Sequence, residues 1–264
     1  MRLLISGIVL LTAQCASATD CRIDAIVKHV WPEATPTAEG VMTREGRLIT
    51  TNGDTPQQAF CRVWPARPEL TLAAVPLMVD LKEETENYHT GDLELLVLDS
   101  ATLNVKQRLR LPDQMSDDVF RITRLTLDTA RWKVSPDQLA FGLHIARSGS
   151  SRVNPFRESA LSLYVIENNR LRRILKGILL EDGSGEWDGN CAGEFLDIKR
   201  TLAIAPVSHQ GYADIRVSEK SVTSATYINA DGECATKDTP GRASLTLRYN
   251  GKEYDVPARL VPLP

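Results

Sequence analysis

The chain has 264 residues, with 31 Lys and Arg against 34 Asp and Glu, for a net charge of −3. The two signs are interspersed as on an ordinary solvated surface, so no basic track for nucleic acid is visible. No apolar run approaches the roughly 20 residues that a helical bilayer span requires.

From the N-terminus, Arg2 precedes an apolar run from Leu3 to Thr12, and Ala16-Ser17-Ala18 supplies a small-x-small triplet. This succession predicts a signal peptide over residues 1–18 and a mature region over 19–264, periplasmic or secreted. Neither Gln14 before Cys15 nor Asp20 before Cys21 suits a lipidation site, so the mature chain is expected without an anchor or a transmembrane segment.

Cleavage would leave Cys21, Cys61, Cys191 and Cys234. In an oxidising compartment an even set reads as disulfides, and four cysteines allow three connectivities. The preferred pairing is Cys21–Cys61 with Cys191–Cys234, each bond contributing about 3–4 kcal/mol by constraining the unfolded chain. No C-x-x-C or Cys-His cluster suggests a metal or redox site. Trp31-Pro32 and Trp64-Pro65 each follow a cysteine-bearing run read as strand, and are expected to pack in the core.

The apolar period is mostly two. Leu93–Leu98 and the alternating Leu103–Leu111 flank Asp99-Ser100-Ala101-Thr102, which predicts a hairpin. Val119–Leu127 and Leu139–Ile145 alternate likewise. The stretch 146–158, rich in Ser and containing Gly149 and Pro155, is a candidate seam if the mature region forms two halves and not one domain. Leu161–Ile166 and Leu171–Leu180 meet across Glu167–Arg170 as a second hairpin. Leu171–Lys176 has weak helical character but lacks a cap and runs into Gly177, so it is read as strand. Tyr212–Val217, Val222–Ile228, Leu245–Tyr249 and Tyr254–Leu260 complete the series, the last two joined at Asn250-Gly251, a strong hairpin turn. The expected fold is all-β, antiparallel hairpins forming a sandwich or meander with two disulfides. A small or incomplete propeller is the alternative, suggested by the Asp-Ser-Ala-Thr corner after Leu98.

Between two strand-like runs, Glu181 to Glu194 concentrates five carboxylates, four glycines and Trp187. Calcium is one cofactor such oxygen-rich spacing could serve, although Trp187 stands where an EF-hand needs glycine. The plainer readings are a partner-binding loop or a disulfide-pinned structural loop. Asn229–Cys234 is a second acidic turn, which the preferred disulfide would bring beside the first. The candidate binding residues are therefore Glu186, Trp187, Asp188, Glu194, Asp231 and Glu233, forming an acidic rim around an exposed Trp187. A basic protein or other envelope macromolecule is the matching partner.

Catalytic groupings are scarce. His29, His89, His144 and His209 are scattered, with no H-E-x-x-H, and G-x-S-x-G is missing. His144 reads as a polar-face strand residue and His209 as part of a turn. The expected function is a non-enzymatic binding, inhibitor, immunity or accessory module. The alternatives are a hydrolase uniting the clustered carboxylates with His209, and a calcium-stabilised structural protein.

Overall fold

The computed structural model describes residues 21–79 and 88–263. The expected signal peptide lies outside them. The fold is all-β, built of two antiparallel seven-stranded sheets with one short helix. Among the described residues the strands form two sheets and no propeller blades.

Helix α1 (Ile23–Val30) opens the described chain. Ile23, Ile26, Val27 and Val30 recur at helical spacing on one face, while Asp24 in the first turn and Lys28 and His29 in the last complement the helix dipole. This corrects the reading of a strand before Trp31. The smaller sheet contains β1 (Thr35–Pro36), β2 (Val41–Met42), β3 (Arg47–Ile49), β4 (Phe60–Val63), β5 (Leu70–Val79), β6 (Gly91–Asp99) and β7 (Val105–Leu111). Its order is β1-β2-β3-β5-β6-β7, with β4 also beside β5. Pro76 interrupts β5 without harm. It falls between Ala74, the last partner of β4, and Met78, the partner of Leu48 on β3. No strand on that side needs its missing N–H.

The centre of the smaller sheet, β5 and β6, is buried on both faces. Ile26 and Val27 of α1 pack with Ala73, Val75, Leu77, Leu96 and Leu98 on one side, and Cys21–Cys61, with Cα atoms 6.0 Å apart, ties the helix to β4. On the other side Leu72, Ala74, Leu93, Leu95 and Val97 meet the larger sheet. Trp64, Phe141 and Tyr164 link the two sheets, with successive ring centroids 5.6 Å apart. Each such aromatic pair adds about 0.5–1.5 kcal/mol to the burial of its area.

The larger sheet is a meander in chain order: β8 (Phe120–Ser135), β9 (Gln138–Gly149), β10 (Phe156–Glu167), β11 (Arg170–Trp187), β12 (Gly193–His209), β13 (Tyr212–Ile228) and β14 (Cys234–Leu247). The stretch 146–158 is the end of β9, a loop and the start of β10, all within this sheet. Two of the three predicted hairpins are present as β6–β7 and β10–β11, the second turning at Asn168 and Asn169, both at positive φ; the third, at Asn250-Gly251, is not. Two expected strands, Tyr212–Val217 and Val222–Ile228, are one continuous strand. Tyr254–Leu260 does not form a strand. Only Tyr254 bridges back to Tyr249, and a 3-10 turn follows at Ala258–Leu260. Pro257 and Pro262 deny that segment regular ladder donors, and Tyr254 and Leu260 are buried as single anchors.

Strands β11 and β12 are hydrogen-bonded only over Glu181–Trp187 and Gly193–Lys199. Below that stretch they part. Leu161, Leu163, Val165, Ile174 and Ile178 of one branch then pack against Leu202, Ile204, Ile215, Val217 and Leu247 of the other. The crotch of this fork is filled by Arg200, which is buried. Its Nε donates to Glu219 (2.7 Å) and its Nη1 to the Leu179 carbonyl (3.2 Å) that β12 leaves behind.

Candidate functional site

Above the fork, β11 to β14 continue as a paddle, flanked by β10 as far as Ser184 and four-stranded beyond it. In β12 no residue from Gly193 to Lys199 is buried, nor is any from Ser218 to Ile228 in β13 or from Cys234 to Thr246 in β14. Eleven residues of β13 at about 3.3 Å each give the paddle a reach of roughly 35 Å. Neither of its faces covers a hydrophobic core.

The expected long acidic loop is mostly strand. Glu181–Trp187 belongs to β11 and Glu194 to β12, leaving Asp188–Ala192 as the connection. Strand alternation then distributes the side chains. Glu186 stands directly opposite Glu194 on one face, whereas Trp187 lies on the other face with Gly185, Gly193 and Phe195. The rim is thus split across the sheet, and Trp187 is half-buried, not exposed.

The glycines form a floor for large side chains. A Cβ on Gly185 would meet the Phe195 ring, and one on Gly193 would meet Phe195 and Trp187 at 3.1 and 3.2 Å. Gly183 similarly lies beneath Arg157, which pairs with Asp197. Aromatic rings lying over strand glycines protect backbone that has no side chain of its own.

At the tip, the Cys191–Cys234 disulfide joins the two connecting loops, with Cα atoms 5.7 Å apart. Asp188 turns its carboxylate onto its own loop, accepting the Asn190 and Cys191 N–H groups at 2.8 and 2.9 Å. These bonds, led by the one from Asn190, hold its pKa below the ordinary carboxylate value. Asn229 does the same in the second loop, its side-chain oxygen accepting from Asp231 and Glu233 N–H groups at 3.0 and 2.9 Å. Both loops are therefore closed by Asx-type bonds, and the carboxylates of Glu186, Glu194, Asp231 and Glu233 are left facing solvent. Among the described residues no three His, Cys, Asp or Glu side chains gather as a metal would need.

Apolar groups of the expected strand Val222–Ile228 also emerge here. Ile228 is 59% and Tyr227 45% exposed, and Val222 is exposed as well. The available signal was position, because Tyr227-Ile228 immediately precede the Asn229–Gly232 turn, beyond the last residues of β13 that reach a core.

The histidines lie elsewhere. His209 ends β12 at the opposite extremity from Glu194, fifteen residues and on the order of 45–50 Å along the strand, and pairs with buried Asp214 at 2.7 Å. It does not meet Glu186 or Asp188. His144 lies in a cleft of about 320 Å³ with Arg62, Arg124 and Ser159. Its Nε2 contacts Asp128 at 3.3 Å. Burial raises the Asp128 pKa, but hydrogen bonds from His144, Ala130 N–H and Trp132 outweigh it and the net direction is down.

The chain matches no protein-family model, no curated protein and no solved structure.

Proposed function

We propose that the protein is a non-catalytic binding module that presents the tip of its paddle to another macromolecule, in the periplasm or outside the cell. An inhibitor, an immunity factor or an assembly accessory fits this role. One observation carries the reading: a long extension of β11 to β14 that buries no core on either face is nevertheless fixed by a disulfide and two Asx-closed loops. Ordering such a segment without core burial has a conformational cost that folding alone does not recover. A rigid surface for a partner gives it a use. Tyr227 and Ile228 supply apolar contact area, and the four solvent-facing glutamates and aspartates supply charge complementary to a basic partner. The two disulfides agree with folding in an oxidising compartment. No helix among the described residues is long and apolar enough to cross a membrane.

The test is site-specific photo-crosslinking from positions 227 and 228 in an envelope extract. A discrete crosslinked product should form and should be lost in Glu186→Ala/Trp187→Ala. If no product forms from either position, the tip is not the binding surface; equal product in the variant would remove Glu186 and Trp187 from it.

A further inference from the structure

The paddle and the branch below it carry a second surface, distinct from the tip. Lys199 on β12 stands directly opposite Lys220 on β13, and Lys220 directly opposite Arg242 on β14. Three cations thus occupy one row, each a strand spacing of about 4.8 Å from the next. Arg216 lies on the same face of β13, four residues along. All four are exposed, and among the described residues none has an ion-pair partner within 4.0 Å. Between them stand Thr201, Ser218, Ser244 and Thr246, also exposed and on the same face. Ala203 completes the patch, which contains no carboxylate. At its margin Glu181 is opposite Lys199 without pairing, and Asp197 is taken by Arg157.

Like charges directly opposite one another weaken a sheet. Here the repulsion is repeated across three strands in a chain whose net charge is −3, so the cations are concentrated against the overall balance. A dense external anion would relieve it. The surroundings narrow the choice. The patch itself has no aromatic side chain on which a base could stack: Phe195, four residues from Lys199 on the same face, is laid over Gly185 and Gly193. Hydroxyls stand at its centre in place of the apolar groups that protein interfaces and lipid insertion use, with Val222 at its edge. The patch is a flat row of cations set among hydroxyls.

We propose that this face binds an acidic polysaccharide, whose regularly spaced carboxylates would lie along Lys199, Lys220 and Arg242 while its sugar hydroxyls bond with Thr201, Ser218 and Ser244. The proposal does not depend on the reading of the tip.

Alginate serves as the acidic probe and dextran as its neutral counterpart, with duplex DNA and phosphatidylglycerol vesicles as competing polyanions. The disulfide-bonded mature protein should bind alginate in a salt-sensitive manner and ignore dextran. Lys199→Gln/Lys220→Gln/Arg242→Gln should weaken alginate binding about tenfold or more without lowering the melting midpoint. Tyr227→Ser/Ile228→Ser should leave it unchanged, which separates this face from the tip. Equal alginate binding by the triple variant, equal binding of dextran, or tighter binding of DNA or vesicles than of alginate would overturn the assignment.

Discussion

Asp99 closes the turn from β6 to β7 by accepting the N–H groups of Ala101 and Thr102 at 3.2 and 3.0 Å and the Thr102 hydroxyl at 3.0 Å. These bonds, led by that from the Thr102 N–H and joined by Lys106, pull its pKa down to about 2. In the unfolded chain the carboxyl protonates near 4. Because the folded value is the lower one, its contribution is complete above about pH 4 and drains away as the pH falls toward 2. A carboxyl titration followed by NMR should give a midpoint near 2, and Thr102→Ala, which removes the hydroxyl bond but keeps the N–H, should raise it part of the way toward 4. An unmoved midpoint would show that the backbone N–H bonds and Lys106 set the shift without the hydroxyl. This turn was legible in the sequence because its chemistry is local, confined to four consecutive residues. Asp188 was misread for the converse reason. Its neighbours suggested a solvent-facing acid in a long loop, but strand pairing shortened the loop until the carboxylate met its own backbone.

Among the elements, the strands with one buried face announced themselves by alternation, as in β7, where Gln107, Leu109 and Leu111 turn inward. Strand β5 did not, because Leu70–Val79 is covered on both sides and reads as an unbroken apolar run. The helix was missed because eight residues beside a cysteine leave little periodic signal. The fork was beyond sequence reasoning altogether. Nothing local in Leu171–Trp187 says that only its last seven residues will pair with β12. Its keystone, however, can be tested. Arg200→Ala would leave Glu219 with Arg259 as its remaining cation, at 3.2 Å, and strip the Leu179 carbonyl of its donor. Breaking a buried ion pair from one side costs about 3–5 kcal/mol, so chemical denaturation should show a loss of that order. A loss below about 1 kcal/mol would mean that the two branches are held by their apolar contacts alone. The cation row offers a second measurement. Relief of cross-strand repulsion at about 0.2–1 kcal/mol per pair should raise the melting midpoint of Lys220→Gln.

For the molecule as a whole, the two disulfides serve different territories. Cys21–Cys61 holds α1 over the core of the smaller sheet, whereas Cys191–Cys234 joins loops with no core beneath them. Replacing the first pair by Ser should lower the global melting midpoint. Replacing the second should instead speed amide exchange over 218–228 and 234–244, with the amides of Ile215 and Leu247 still protected. Uniform acceleration across the larger sheet would show that the paddle and its base unfold as one unit. The pairing of the cysteines and the all-β class were readable in advance, since both follow from spacing and periodicity. The placement of charge was not. Acids gather at the tip and cations on the flank through register, a property of the assembled sheet.

The parting of β11 from β12 also bears on how this architecture can vary between descendants. Beyond Ser184 no strand but β11 to β14 takes part, and the loop after β9 adds one bond, from the Trp187 N–H to the Val153 carbonyl. Matched insertions or deletions of two residues per strand there would therefore preserve side-chain facing and lengthen or trim the projecting arm by about 7 Å a step, with the loss of that bond. The supporting base would need no compensating change. Reach, and with it the distance between whatever grips the end and whatever lies along the flank, is thereby free to drift independently of stability.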